Sequence, residues 1–203
     1  LTLLIVFASF AALGAAQSTE VLAANAVLIS LLLLISNALD GFAHAAESLV
    51  GRFLGAAQPQ QMRKAIQLTG INSLIAAFIL VGLFVLAGDH LFRLLTDNED
   101  VLPRLQEMHL WLWLLPLSGV ASYWLDGVMV GAQATASMRN SMLAAAALVF
   151  FPIALLPGQL AAWSVNGEVS ANTLLWLAFH LFLLARAAFL IPAIRRVVQT
   201  TQK

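Results

Sequence analysis

The chain has 203 residues, of which 61% are hydrophobic and 10% are charged, and its mean hydropathy is +0.90. A soluble domain of this size could not cover such a composition with polar surface, so we predict an integral membrane protein surrounded by a lipid bilayer. Balanced acidic and basic residues give a net charge of zero, which argues against nucleic acid as a partner, and the absence of cysteine excludes disulfides, thiolate catalysis and zinc sites built on sulfur.

The apolar runs are long and continuous, which predicts membrane-spanning helices and not the short alternating strands of a barrel. We predict an all-α protein with six helices, at about residues 1–16, 21–55, 63–88, 101–134, 137–156 and 171–191. The first run reaches about 24 Å at ~1.5 Å per residue, short of the ~30 Å hydrocarbon core. Because the chain also opens with Leu1 and no signal-peptide features precede it, we expect it to begin inside a truncated helix.

Prolines mark several of the predicted helix boundaries. Pro59 is expected in the turn before the third helix, and Pro103 in the first turn of the fourth. The fifth helix contains Pro152, where a bend could act as a gate, and ends at Pro157. Pro192 is expected to stop the sixth helix.

Charged residues separate between the two sets of loops that six helices create. One set, with the C-terminal tail, carries basic residues without acids: Arg52, Arg63, Lys64, Arg139, Arg195, Arg196 and Lys203. The other set carries Arg93 and Arg104 together with Glu20, Asp89, Asp97, Glu99, Asp100, Glu107 and Glu168. The positive-inside rule therefore predicts a cytoplasmic C-terminus. Four tryptophans near the predicted outer helix ends fit an interfacial aromatic belt: Trp111, Trp113, Trp163 and Trp176.

Charges inside the predicted helices are the candidates for function. On the second helix, Asp40, His44 and Glu47 fall within an arc of roughly 60°. A charge facing lipid costs about 2.5–3.5 kcal/mol at the bilayer centre, so this face should turn toward a protein interior or a wet cavity. The three side chains could form a proton relay, or a polar network that locks the helix. His44 and Glu47 also have metal-ligand spacing, but no second pair and no sulfur ligand support a metal site, so neither a metal nor another cofactor is expected.

Asp126 on the fourth predicted helix has two possible roles. It could form a structural ion pair with Arg186 of the sixth helix, or it could bind a proton and a cation in turn, and the distance to Arg186 decides between the two. His180 is a further titratable residue in the sixth helix. Glycine pairs follow both acidic stretches, Gly51 with Gly55 and Gly127 with Gly131, and this spacing predicts close helix packing.

Signatures of soluble enzymes are missing from the sequence: no phosphate-binding glycine loop, no nucleophile elbow and no nucleotide-hydrolysing motif occurs. We therefore expect that the protein is not an enzyme. Any transport would have to draw on an ion gradient or on another subunit.

Two stretches resemble a known family. The segment 21–56, with Asn37-Ala38-Leu39-Asp40-Gly41 at its centre, is similar to the eighth helix of multidrug and toxic compound extrusion (MATE) transporters, and more narrowly to the branch called DNA-damage-inducible protein F. Tyr123-Trp124-Leu125-Asp126-Gly127 through 138–142 is similar to the tenth helix and the loop after it. The resemblance covers essentially the whole chain as a C-terminal half, helices seven to twelve.

The resemblance implies a twelve-helix antiporter of the bacterial inner membrane, built from two six-helix lobes around a cavity. Its partners would be the missing N-terminal six-helix lobe, cationic and often aromatic small molecules, and protons or sodium ions. Asp126 matches an acid of the tenth helix that contributes to a cation site in some members. Those members add an acid on the seventh helix, and the absence of one from residues 1–16 favours protons over sodium. In the branch named above, the proton-coupling aspartate lies on the other lobe.

The function expected from these observations is efflux of cationic drugs or toxic compounds in exchange for protons by alternating access. We hypothesise that Asp126 faces the cavity and that its protonation from outside weakens the hold on a cationic substrate. Asp40 and Glu47 are second candidates, and His44 and Arg186 complete the predicted substrate or proton site. Alternatives are a lipid-linked precursor flippase of related architecture and a non-transporting membrane scaffold, in which Asp126 and Arg186 would be in contact with no cavity between them.

Overall fold

The structure, a computed structural model, describes residues 1–156 and 170–200, and all regular structure in these ranges is helical. The helices are α1 (Thr2–Ala15), α2 (Thr19–Gly55), α3 (Pro59–Leu95), α4 (Leu102–Glu107), α5 (His109–Gly131), α6 (Thr135–Ala145), α7 (Phe151–Ala154) and α8 (Ala171–Thr200). A π-helical turn, Ala146–Phe150, joins α6 to α7. The predicted Pro157 helix end, Trp163, Glu168 and Lys203 lie outside the described residues.

Four segments of the described chain are long and apolar enough to cross a membrane: Thr19–Gly55, Pro59–Leu95, Thr135–Ala154 and Ala171–Val198. The helix α1 is apolar but shorter. Large apolar side chains stand exposed along α3, among them Ile71, Phe78 and Ile79 at 56%, 58% and 67%. A surface of this kind suits lipid and not water. The chain is therefore a multi-pass membrane protein.

The helices α2 and α5 form the centre of the bundle and pack closely along their length. On α2, the buried residues Leu28, Leu32, Ile35 and Leu39 repeat at the spacing of one helical face, which turns this face toward the other helices. The helix α3 packs against both α2 and α5, while α8 packs against α5 and α6. The bundle thus places α5 between the acid-bearing helix α2 and the arginine-bearing helix α8.

Opposite ends of the bundle carry opposite charge. At one end, called the basic end, Gly51 of α2 lies beside Gly131 of α5. The loops and helix termini at this end hold Arg52, Arg63, Lys64, Arg139, Arg195 and Arg196. At the other, called the acidic end, Asp89 of α3 lies 3.2 Å from His109 of α5. The basic and acidic residues that fall into different loops of the sequence therefore also lie at opposite ends of the bundle.

Several helix boundaries differ from the predicted ones, and two of the differences lie next to prolines. The last helix runs through Pro192 to Thr200 instead of ending at 191, as helices in membranes tolerate a proline when neighbouring groups satisfy the freed carbonyl. Next to Pro152 the π-helical turn absorbs the missing amide hydrogen bond. The helix α3 is longer than the predicted 63–88. The predicted helix 101–134 is two helices that meet at Met108.

Trp176 corrects the predicted aromatic belt, because it is fully buried and not interfacial. Its indole nitrogen donates to Asn25 Oδ1 at 2.8 Å, and Asn25 Nδ2 donates to Asn172 Oδ1 at 2.9 Å. These three residues, called the Asn25 cluster, join α2 to α8 near the acidic end. Gly14 of α1 leaves room for the cluster, since a Cβ there would come within 2.8 Å of Asn25 Nδ2.

Candidate functional site

An ion pair between α5 and α8 forms the centre of the candidate site. A guanidinium nitrogen of Arg186, Nη2, contacts Oδ2 of Asp126. The Arg186 side chain is 2% exposed and the Asp126 side chain is 25% exposed. The structure thus brings together the two charges whose pairing the sequence left open, and it leaves the carboxylate partly accessible while the cation is enclosed.

The ion pair is incomplete. Arginine and a carboxylate commonly form two parallel hydrogen bonds, but here Asp126 Oδ1 and Arg186 Nη1 are buried without a hydrogen-bond partner among the described residues. Arg186 also lies over the ring of Phe182, with the guanidinium carbon 5.7 Å from the ring centroid. Buried polar atoms without partners are uncommon and call for an explanation, so this pair differs from a fully satisfied structural bridge.

Tyr123 and two residues of α2 complete the site. Asp40 is near enough to exert an electrostatic effect on both Asp126 and Tyr123, and Ser36 lies within reach of the Tyr123 hydroxyl. We call Ser36, Asp40, Tyr123, Asp126 and Arg186 the Asp126 cluster. It contains two carboxylates and one guanidinium, so one acid in the cluster has no cation of its own.

Sequence reasoning missed Tyr123 and Ser36, although a signal for both was present. Tyr123 stands three residues before Asp126 and Ser36 four residues before Asp40, which puts each on the same helical face as the acid that follows it. Tyr123 is also the single tyrosine of the chain.

Close helix packing brings the two acid-bearing helices together. A Cβ at Gly127 would overlap the backbone carbonyl of Ala43 on α2, and a Cβ at Gly131 would overlap the backbone of Glu47. The predicted contact is therefore confirmed for this glycine pair. For the other predicted pair, Gly51 lies near Gly131. A Cβ at Gly55 would meet none of the described residues within 4 Å, so close packing is not found there.

His44 and Glu47 lie on the outer side of α2. His44 Nδ1 is 3.6 Å from Glu47 Oε2, and the two side chains are 78% and 43% exposed. In the described ranges neither forms a hydrogen bond or an ion pair with Asp126 or Arg186. Within the described ranges His44 therefore does not face the interior of the bundle, and its place in a wet cavity stays a prediction. The side chains remain free to face a wet cavity or another part of the protein.

His180 of α8 contacts two residues of α5 outside the Asp126 cluster. Its Nδ1 is 2.8 Å from the Ser118 hydroxyl, and its ring stacks on Trp111 at 5.4 Å. The residue is 5% exposed and lies outside the Asp126 cluster. These contacts join α8 to α5 by a second connection, closer to the acidic end.

Comparison with known proteins decides the family. The MatE family model matches residues 1–156 of the chain. The chain belongs to the MatE family. It is also 35% identical over 200 residues to DNA damage-inducible protein F of Escherichia coli (strain K12), an alignment that covers 97% of this chain and 40% of the relative.

The fold of this MatE chain matches a solved structure as well. It superposes on the eukaryotic MATE transporter AtDTX14 with a TM-score of 0.66 and 20% identity, covering 89% of this chain and 41% of AtDTX14. The MatE chain therefore spans about two fifths of the length of the relatives it matches. The resemblance seen in the two acidic stretches is confirmed.

Proposed function

We propose that this MatE chain is the C-terminal six-helix lobe of a secondary active transporter, not an enzyme, in the bacterial inner membrane. It would export cationic compounds in exchange for protons by alternating access with an N-terminal lobe. Family membership supports transport across a membrane. The basic end supports an orientation with the C-terminus in the cytoplasm.

The observation that carries the proposal is the incomplete ion pair between Asp126 and Arg186. Asp126 is the partly accessible member, so protons or a cationic substrate can reach it. Protonation would remove the counter-ion of Arg186, and a buried arginine without a counter-ion is strongly unfavourable, by about 3–5 kcal/mol for the loss of one partner. Proton binding at Asp126 is thereby coupled to a change in the surroundings of Arg186.

We propose Asp40 as the alternative partner of Arg186, because it is near enough to Asp126 for an electrostatic interaction. It belongs to α2, whereas Asp126 belongs to α5, so exchange of Arg186 between the two acids would alter how α8 is held against these helices. In the proposed cycle, a proton that arrives from outside displaces the cationic substrate from the acids. Release of the proton to the cytoplasm restores the state that binds substrate.

The test is dye efflux by the full-length protein in proteoliposomes with an imposed pH gradient. We expect Asp126→Asn to reduce proton-driven transport by at least tenfold, about 1.4 kcal/mol in the barrier. The matched control is Asp97→Asn, the same change in an exposed loop residue, which should transport at the rate of the unmodified protein. Unchanged rate and pH dependence in Asp126→Asn would refute the proposal.

The contact between Asp126 and Arg186 also favours a second function, the non-transporting scaffold. In that case the pair only holds α5 to α8. The unmodified full-length protein would then show no proton-driven uptake of any cationic dye, while Asp126→Asn would lower its stability.

A further inference from the structure

A pocket lies between α3 and the start of α5 at the acidic end, away from the Asp126 cluster. Its volume is about 460 Å³. The polar part of its lining comes from three helices: Asp89, His90, Gln106, His109 and Trp113. Among the described residues the lining includes no lysine and no arginine, so the pocket has a carboxylate without a fixed positive charge beside it.

Two hydrogen-bond acceptors face each other in this pocket when His109 is neutral. His109 Nδ1 lies 2.7 Å from the backbone carbonyl oxygen of Gln106, and because a carbonyl oxygen only accepts, Nδ1 carries the ring proton. In the neutral ring Nε2 is then an acceptor, and it lies 3.2 Å from Asp89 Oδ1, which is also an acceptor. The arrangement therefore lacks a donor between Asp89 and His109.

A primary ammonium supplies the missing donor. Its three N–H groups can donate to Asp89 and to His109 at once, and its charge complements the carboxylate, whereas a quaternary ammonium has no N–H to donate. The Asp89 side chain is 61% exposed and has a second carboxylate oxygen, so its contact with His109 leaves it accessible to a ligand. The ring of Trp113 in the same lining also suits a cation.

The apolar wall of the pocket indicates that the ammonium belongs to a lipid. Val85 and Leu86 of this wall are 52% and 86% exposed and continue the apolar surface of α3 that suits lipid. Asp89 follows Leu86 by three residues, which puts it on the same face of the helix, where the apolar surface gives way to polar residues. Trp113 Nε1 is buried without a hydrogen-bond partner among the described residues, and a phosphate oxygen is an acceptor of the kind it lacks. We propose that the pocket binds the headgroup of phosphatidylethanolamine, with its ammonium at Asp89 and His109. This site does not depend on the proposed transport.

Native mass spectrometry of the full-length protein in neutral detergent tests the site, with phosphatidylethanolamine and phosphatidylcholine as probes at pH 8, which favours neutral histidine. We expect phosphatidylethanolamine to bind at least about fivefold more tightly, because only its ammonium donates hydrogen bonds. Asp89→Asn should remove this preference and Asp89→Glu should retain it. The matched control is Asp97→Asn, which removes the same charge from an exposed residue of the acidic end outside the lining, and should retain the preference of the unmodified protein.

Three outcomes would overturn the proposal. Equal affinity of the unmodified protein for the two lipids would show that the N–H groups are not recognised. Equal losses in Asp89→Asn and Asp97→Asn would show general attraction to the acidic end and no site. Displacement of the lipid by millimolar ethanolamine would assign the pocket to free amines.

Discussion

The bundle contains two polar clusters that both contact α8, and they are built on different principles. In the Asn25 cluster near the acidic end, neutral side chains pair with one another, and the carbonyl and amide of Asn25 each have a partner. In the Asp126 cluster, the described residues show a single contact between charged side chains, and they offer no hydrogen-bond partner to one carboxylate oxygen and one guanidinium nitrogen.

These two arrangements predict different behaviour for the two clusters. A satisfied neutral network has one best arrangement, so it fixes helices in place. The proposed exchange of Arg186 between Asp126 and Asp40 would give the Asp126 cluster alternative pairings whose energies depend on protonation and on bound cations. The Asn25 cluster is therefore suited to hold α2 and α8 together, and the Asp126 cluster to change state.

The largest effect on stability is expected from removing the arginine alone. Arg186→Met should destabilise the protein by about 3–5 kcal/mol, because it leaves Asp126 near a second acid without a cation. Thermal unfolding of the full-length protein in detergent measures this. The control is Arg104→Met, an exposed arginine paired with Glu107 at 3.3 Å, which should cost about 0–1 kcal/mol. Similar losses in both variants would contradict the difference drawn between buried and exposed pairs.

The next largest loss of stability is expected from a substitution that forces α2 and α5 apart without altering any charge. Gly127→Ala should cost about 3 kcal/mol, since the new Cβ meets the backbone of Ala43 and the helices must move apart. Gly55→Ala is the matched control, and it should be close to neutral because nothing lies within 4 Å. If Gly127→Ala proved as stable as Gly55→Ala, close packing would not be what positions the Asp126 cluster.

Breaking the Asn25 cluster should affect stability but not transport. Asn25→Ala leaves the indole nitrogen of Trp176 and the amide oxygen of Asn172 without partners, at a cost of about 1–3 kcal/mol. Asn37→Ala changes an exposed asparagine of the same helix and should be nearly neutral. Efflux per folded molecule should be unchanged in both. A change in the pH dependence of efflux in Asn25→Ala would contradict the distinction drawn between the two clusters.

The smallest effect is expected at Tyr123. Tyr123→Phe keeps the ring and removes the hydroxyl near Ser36. A hydrogen bond between the two hydroxyls predicts a loss of about 1 kcal/mol. Ser36→Ala should cost a similar amount, and the double variant should cost no more than either alone. A double-mutant cycle of unfolding free energies measures this, and additive losses would show that the two hydroxyls do not interact.

Sequence reasoning reached the membrane class, the acid-bearing helices and the Gly127 contact because each depends on local composition or spacing. It left the pairing of Asp126 with Arg186 open, since that contact joins residues far apart in sequence and depends on the rotation of α8 against α5. The sequence predicts an interfacial Trp176 because position along a helix is visible in sequence, whereas a hydrogen bond to Asn25 across the bundle is not. The sequence predicts a helix end at Pro192 because the local rule disfavours proline within a helix, yet the helix continues through it.

The central claim is that the pair of Asp126 and Arg186 serves proton coupling and does not merely hold two helices together. The most direct measurement compares the double variant Asp126→Leu with Arg186→Met against the unmodified full-length protein, for both unfolding and proton-driven dye efflux. Replacing both charges by apolar side chains should recover most of the stability that Arg186→Met loses. We expect this stable variant to lose proton-driven efflux. Efflux at the unmodified rate, with the same pH dependence, would contradict the claim and leave the pair as a structural bridge.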